Sequence, residues 1–297
     1  MELKYNSLAE LANLAKKNGC NISQIVLQEQ ATAMECTEKQ VFERMKETYH
    51  VMKKAELKGQ KKDTVSTSGL TGGDAYKIKK HITEGKSLSG DFLTGALMRA
   101  TAISELNAAM GKIVAAPTAG SCGILPAAVI TMQEEKGCSE KDCVMALLTA
   151  SGVGMVIANN ASVSGAEGGC QAECGSASAM AAAAIVELAG GTPEQCLHAV
   201  AIALKNILGL VCDPVAGLVE IPCIKRNASG VANAITAAEL ALCGIKSALP
   251  ADEVILAMKQ VGDKIDVSLR ETAEGGLASC PTAKCLCDKV YGCKESK

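Results

Sequence analysis

Residues 177–208 read ASAMAAAAIVELAGGTPEQCLHAVAIALKNIL, and this stretch decides the fold class. Ala is the strongest helix former, so the Ala-rich run over 177–188 is helical. The Gly190 and Gly191 pair stops it. Thr192 and Gln195 are then spaced as a capping box, and Pro193 takes the first helical position, where its missing N–H is not needed, so a second helix runs to about Leu208. Outward from this pair the 3.6-residue apolar period recurs. Leu8, Leu11, Ala12 and Ala15 form the inner face of a first helix that ends near Gly19. Residues 22–57 read as one longer helical region with Ile25, Val26, Val41, Met45 and Met52 turned inward, and another helix spans 91–110. Ser139 opens a helix whose first turn holds Glu140 and Asp142, where acidic groups complement the dipole. Further helices lie near 231–243 and 250–261, and strand signals are nearly absent. The expectation is an all-α fold: one domain over 1–297 built from close-packed Ala/Gly-rich helices with functional loops, and a Cys-rich tail at 278–297.

Composition agrees with a core of small residues. Of 297 residues 48% are hydrophobic, yet only two Phe and four Tyr are aromatic and Trp is absent. That excludes an aromatic-rich β-sandwich and the stacking platforms of single-strand nucleic-acid binders. With 30 basic and 32 acidic residues, a net charge of -2 and no basic face, neither nucleic acid nor an anionic membrane is an expected partner. Residues 144–166 carry no charge, but their apolar part stops at Ala158, after fifteen residues. A membrane span needs about 20, so a buried core helix is expected. The start, MELKYNSLAELANLAKK, is amphipathic and charged rather than a secretory leader, which points to the cytoplasm.

Fifteen cysteines, an odd number without an export signal, argue against a disulfide framework. Most are expected to pack as small apolar side chains. Polar and conformationally special residues concentrate in four loops, 66–76, 117–123, 165–175 and 209–227, where sites held on a rigid scaffold usually lie.

Three blocks in these loops, NAAMGKIVAAPTAGSCGILPA (107–127), EGGCQAECGSASAMAAAA (167–184) and CDPVAGLVEIPCIKRNA (212–228), resemble the α chain of the iron-sulfur-dependent bacterial L-serine dehydratases. The resemblance extends over about residues 27–277. It implies a lyase that converts L-serine to pyruvate and ammonia at a [4Fe-4S] cluster, with Cys170, Cys212 and Cys223 at the ligand positions. Thiolates suit such a cluster, although spacings of 42 and 11 residues alone would not single these three out. Three thiolates for four irons would leave one iron free to bind the serine hydroxyl. Family members also carry a second unit, fused or as a separate β chain, with a Ser-Ser-His-Thr motif. This chain lacks that motif, so a β chain is the expected partner and the source of an essential histidine.

Other readings stay open beside this one. Cys174 lies four residues after Cys170, on one helical face, and is a rival ligand; Cys122 in TAGSCG reads as a loop or core thiol near the site. The loop STSGLTGGDAY (66–76) offers backbone donors to an anion. With Lys77 or Lys79 the anion would be pyridoxal phosphate; with Ser68, Thr71 and Gly72 it would be the serine carboxylate; or the loop is plain surface. Thr118 and Ser121 are further hydroxyl donors, and Arg226 is either a bidentate carboxylate clamp or part of a structural ion pair. His50 and His81 lie in charged helical contexts and His198 in an apolar one, which leaves Lys77 as the candidate base, given a pKa lowered by desolvation. In the tail, Cys280, Cys285, Cys287 and Cys293 could cap the open iron, form a second metal site or stand as exposed thiols. The rivals in function are an iron-sulfur L-cysteine desulfidase, a pyridoxal-phosphate enzyme and a non-catalytic iron-sulfur scaffold with a closed four-Cys site.

Overall fold

In the computed structural model, which describes residues 4–292, the Ala-rich run forms the central helix of an all-α architecture. The helices are α1 (Leu8–Asn18), α2 (Ile22–Ala33), α3 (Glu38–Gly59), α4 (Asp74–Thr83), α5 (Gly90–Ala108), α6 (Ile124–Lys136), α7 (Glu140–Asn160), the single turn α8 (Gly165–Gly168), α9 (Ser176–Leu188), α10 (Pro193–Lys205), α11 (Cys223–Leu242), α12 (Ala251–Lys264) and α13 (Pro281–Tyr291). Among the described residues there is no strand, only isolated bridges pairing Val65 with Gly72 and Cys212 with Arg270.

Every residue of α9 from Ser176 to Val186 is buried. Its small side chains let α6, α7, α10 and α11 close around it at once. The same economy of volume brings α3 against α5, where a Cβ on Gly59 would sit 1.9 Å from the carbonyl oxygen of Ala102. The capping box of Thr192 and Gln195 is formed with Pro193 in the first turn, and Ser139 caps α7 through the Asp142 N–H.

Several elements differ from the sequence expectation. The region 22–57 is two helices, because Glu35 turns the chain at φ +49° and Thr37 starts α3 with its own capping box to Gln40. Helix α6 is buried without a break from Ile124 to Met132, so no polar face marks its period; α13 also had no signal, and α4 is anticipated only as the helical context of His81. Helix α11 starts at Cys223 rather than near 231. Helix α7, at 21 residues, is long and apolar enough to cross a membrane by length and composition, but 67% of its apolar window is buried. It packs against α2 and α9 as a core helix.

Candidate metal centre and its surrounding loops

Three separate segments deliver Cys170, Cys212 and Cys223, which are 2%, 4% and 9% exposed. Cys170 directly precedes a π-helical turn, Gln171–Gly175, that leads into α9; such turns often mark functional sites. Gly169 before it has φ +75°, and a Cβ there would lie 2.9 Å from the Leu210 carbonyl oxygen, so only Gly lets the two loops meet. Gln171 completes that junction: its N–H donates to the Leu210 carbonyl and its side-chain oxygen accepts from the Gly209 N–H, both at 2.9 Å. Cys223 is the first residue of α11, where the partial positive charge of the helix end favours thiolate.

Cys212 is held from both sides by the C-terminal segment. Its N–H donates to the Leu269 carbonyl at 2.8 Å and its carbonyl accepts from the Glu271 N–H at 2.7 Å. The next residue, Asp213, is 3% exposed; one carboxylate oxygen accepts from the Leu277 N–H and the other from Arg226, each at 2.8 Å. Helix α13 packs on the turn Val215–Gly217, where the Tyr291 hydroxyl donates to the Ala216 carbonyl at 2.9 Å. Residues 265–291 thus form a strap over the loop that carries Cys212.

The thiols share an electrostatic environment. Burial pushes the Cys223 thiol up to about 12 and raises Cys212 further, and a negative charge on Cys170 or Glu173 adds to both shifts. Cys170 is the exception. Its sulfur lies 3.3 Å from that of Cys174, and the Cys174 thiol hydrogen bond, aided by the Arg226 guanidinium, lowers its pKa. Cys174, fully enclosed, moves well above the ordinary thiol range through its contact with Cys170 and through burial. Buried thiols close enough to raise one another lose their protons together only when a cation replaces them. The donor set therefore fits a thiophilic metal or an iron-sulfur cluster.

Glu173 had no place in the sequence reading. Its carboxylate and the sulfurs of Cys170 and Cys174 lie within 4.8 Å of one another. It accepts a hydrogen bond from the Thr118 hydroxyl, which in turn lies 3.1 Å from that of Ser121. Burial first, then the carboxylate of Glu271, raise its pKa. The available signal was its isolation as the sole charge between Glu167 and Glu187. The loop carrying Thr118 and Ser121 is pinned to α11 by buried Asn227, whose side chain accepts from the Gly123 N–H at 2.8 Å and donates to the Gly120 carbonyl at 2.7 Å.

The loop at 66–72 joins the same region through Glu220, three residues before Cys223. Ser68 and Thr71 donate their hydroxyls to its buried carboxylate at 3.0 and 2.7 Å. The N–H groups of Ser66, Gly69, Leu70, Thr71 and Gly73 are also bonded within residues 64–73. Gly72, at φ +145°, is required by the backbone, since a Cβ would meet the Thr64 carbonyl oxygen at 2.4 Å. Arg226 gives its guanidinium to Asp213 and to the Val211 carbonyl at 2.8 Å, which is the ion-pair arrangement. Lys77 stands in solvent with its Nζ 2.8 Å from Asp74, and that hydrogen bond raises its pKa, the opposite of what a base requires. Asp74 also takes Lys225 from α11.

Cys122 is buried and pushed up to about 12, the state of a core thiol. Cys280 and Cys285 are exposed and Cys287 partly so, while Cys293 lies outside the described residues. His50 pairs with Glu140, His198 faces Glu194 within α10, and His81 is exposed on α4.

A family model described as the serine dehydratase alpha chain matches residues 17–278. The chain is 50% identical to a probable L-serine dehydratase, alpha chain, of Bacillus subtilis, over 97% of this chain and 96% of that one. It is 46% identical to an L-serine dehydratase, alpha chain, of Peptoniphilus asaccharolyticus, over 94% and 96% of the two chains. It is also similar to an L-serine dehydratase of Streptomyces coelicolor, at 40% identity over 91% of this chain but only 59% of that protein.

Proposed function

The chain belongs to the serine dehydratase alpha chain family, and from that premise we propose that it deaminates L-serine to pyruvate and ammonia at a [4Fe-4S] cluster held by Cys170, Cys212 and Cys223. The observation that carries the reading is that Cys170, Cys212 and Cys223, three buried thiols from three segments, lie close enough to raise one another's pKa, while the tightest group of donor atoms, within 4.8 Å, is that of Cys170, Cys174 and Glu173. When bound, such a cluster supplies Lewis-acid chemistry, an iron without a thiolate of its own making the serine hydroxyl a better leaving group. The reaction balances as an elimination. The α-proton passes to a base, its electron pair forms the Cα–Cβ double bond, and the hydroxyl takes a proton and leaves as water. The resulting 2-aminoacrylate takes up water and releases ammonia and pyruvate.

The chain's own residues supply the setting. Arg226, anchored on Asp213, steadies the Cys212 loop and favours thiolate at Cys170. Ser68, Thr71, Gly72, Thr118 and Ser121 belong to the two loops gathered around Glu220 and Glu173; the hydroxyls of Ser68, Thr71 and Thr118 are given to those carboxylates, so we assign these loops to shaping the substrate pocket rather than to pairing with the substrate carboxylate. Lys77 holds its proton too firmly for a base. The base is assigned instead to a companion β chain, supported by the alpha-chain names of relatives and by the longer Streptomyces relative; that it is a histidine of the Ser-Ser-His-Thr motif is what the family resemblance implies. A cluster of this kind is kept in the reducing cytoplasm.

The test is anaerobic co-purification with the β chain, with iron and sulfide analysis and assay of pyruvate from serine and from cysteine. Broad visible absorption that bleaches in air together with serine-dependent pyruvate formation is expected. Activity that survives air and is lost to hydroxylamine would overturn the reading in favour of pyridoxal phosphate. Sulfide release from cysteine exceeding serine turnover would overturn it in favour of a desulfidase, and a stable cluster without either activity in favour of a scaffold.

A further inference from the structure

We propose that Glu173 binds the α-ammonium group of the substrate, a zwitterionic β-hydroxy amino acid; the inference rests on the serine reading above. The geometry gives this carboxylate a fixed place and spare capacity. It lies beside Cys170 and Cys174, the three ligand atoms within 4.8 Å of one another, yet it is only half-buried while both thiols are enclosed. Of the three groups it is the one that keeps some exposed surface. The hydrogen bond it receives comes from a neutral hydroxyl, that of Thr118, and the adjacent guanidinium of Arg226 is committed to Asp213 and the Val211 carbonyl. A carboxylate has about four lone-pair sites. One hydrogen bond from Thr118 leaves room for two from an ammonium.

Gly120 shows that the position is built. A Cβ there would lie 2.4 Å from Glu173 Oε1 and 2.9 Å from its Cδ, so residues 117–121 close over the carboxylate only because residue 120 has no side chain. Buried Asn227 fixes that loop through the Gly120 carbonyl and the Gly123 N–H. The chemistry sets the same requirement. The amino nitrogen and β-oxygen of serine are separated by only two carbons, so a group that binds the ammonium must stand next to the group that receives the hydroxyl. Glu173 follows Cys170 by three residues, within one helical turn. An ammonium held charged against a partly desolvated carboxylate also keeps its electron withdrawal on Cα, which acidifies the proton to be removed.

The test uses the cluster-loaded two-chain enzyme. L-serine and 3-hydroxypropanoate, which is serine without its amino group, are titrated against the visible and EPR spectra of the cluster, in wild type and in Glu173→Gln. Loss of a charge-assisted hydrogen bond is expected to weaken serine by about 10- to 100-fold and leave 3-hydroxypropanoate nearly unchanged. Unchanged serine affinity, or equal weakening of both ligands, would overturn the assignment. Should Glu173→Gln fail to hold iron, Glu173→Asp carries the test: a shortened carboxylate keeps a reduced preference for serine, and parallel loss of both ligands overturns it. Wild-type enzyme that makes no pyruvate from serine yet prefers an amino acid to its deamino analogue would overturn the serine reading and leave Glu173 in place.

Discussion

Cys170 and Cys174 show how much a single buried hydrogen bond distinguishes between like residues. One sulfur is drawn toward thiolate by its contact with the other, 3.3 Å away, and by Arg226, while the other is pushed well above the ordinary thiol range. Cys122, equally buried, has neither partner and stays a thiol. Cys170→Ala, Cys212→Ala and Cys223→Ala are therefore expected to lose bound iron and sulfide, with Cys122→Ala retaining both, as measured by metal analysis after anaerobic purification. Glycines divide in the same way. In Gly120→Ala the new methyl meets the far end of the Glu173 side chain rather than backbone and displaces its carboxylate, so serine turnover should fall while the thermal midpoint stays near wild type. In Gly59→Ala it meets the backbone of Ala102, which cannot yield, and a loss of about 1–3 kcal/mol in a denaturant titration is expected. These residue roles were only partly legible in the sequence. Thiols in Gly- and Pro-punctuated loops could be read, but Glu220 serves Ser68 and Thr71 from about 150 positions away, and no local pattern announces such a bond.

At the scale of elements, helices are joined by partly buried acids as well as by alanine faces. Glu187 on α9 accepts from the Thr149 hydroxyl of α7 at 2.6 Å and from the Ser23 N–H at the start of α2 at 3.4 Å. Burial raises its pKa above the usual 4.5 in spite of these bonds. The folded state thus binds this proton more tightly than the unfolded chain does. The stability this gives is complete below about 4.5 and is lost as pH climbs through the raised value. Glu187→Gln keeps an acceptor for both donors and removes the titration. Its thermal midpoint relative to wild type should rise from pH 4.5 to pH 8, and parallel curves would contradict the assignment. Element boundaries were legible where caps are local, as at Ser139 and Thr192. They were not where burial hides the period, as in α6, or where a helix begins at a ligand, as α11 does at Cys223.

At the scale of the whole molecule, the small-residue core and the site depend on different parts of the chain. Composition made the core legible, because a chain with so few aromatics must fill its interior with Ala, Val, Ile and Leu packed helix on helix. The strap was not legible, since pairing Cys212 with Arg270 is a product of tertiary structure. Residues 265–291 contribute little to the main core cluster, which ends at Met258 in α12, yet they hold Cys212, Asp213 and Ala216 in place through Leu269, Glu271, Leu277 and Tyr291. Removing them should spare the fold and disable the centre. A chain ending at residue 264 is expected to keep its helical circular dichroism and fail to retain iron. One ending at residue 280 keeps the bonds to Cys212 and Asp213 but loses α13 and its grip on Ala216, and its cluster should bleach faster in air than that of the full chain. Replacing Cys280, Cys285, Cys287 and Cys293 together by Ser separates the strap from the thiols it carries. If the strap acts through its backbone, that variant holds iron and bleaches at the rate of the full chain; an altered cluster spectrum would instead assign a tail thiol to the open iron.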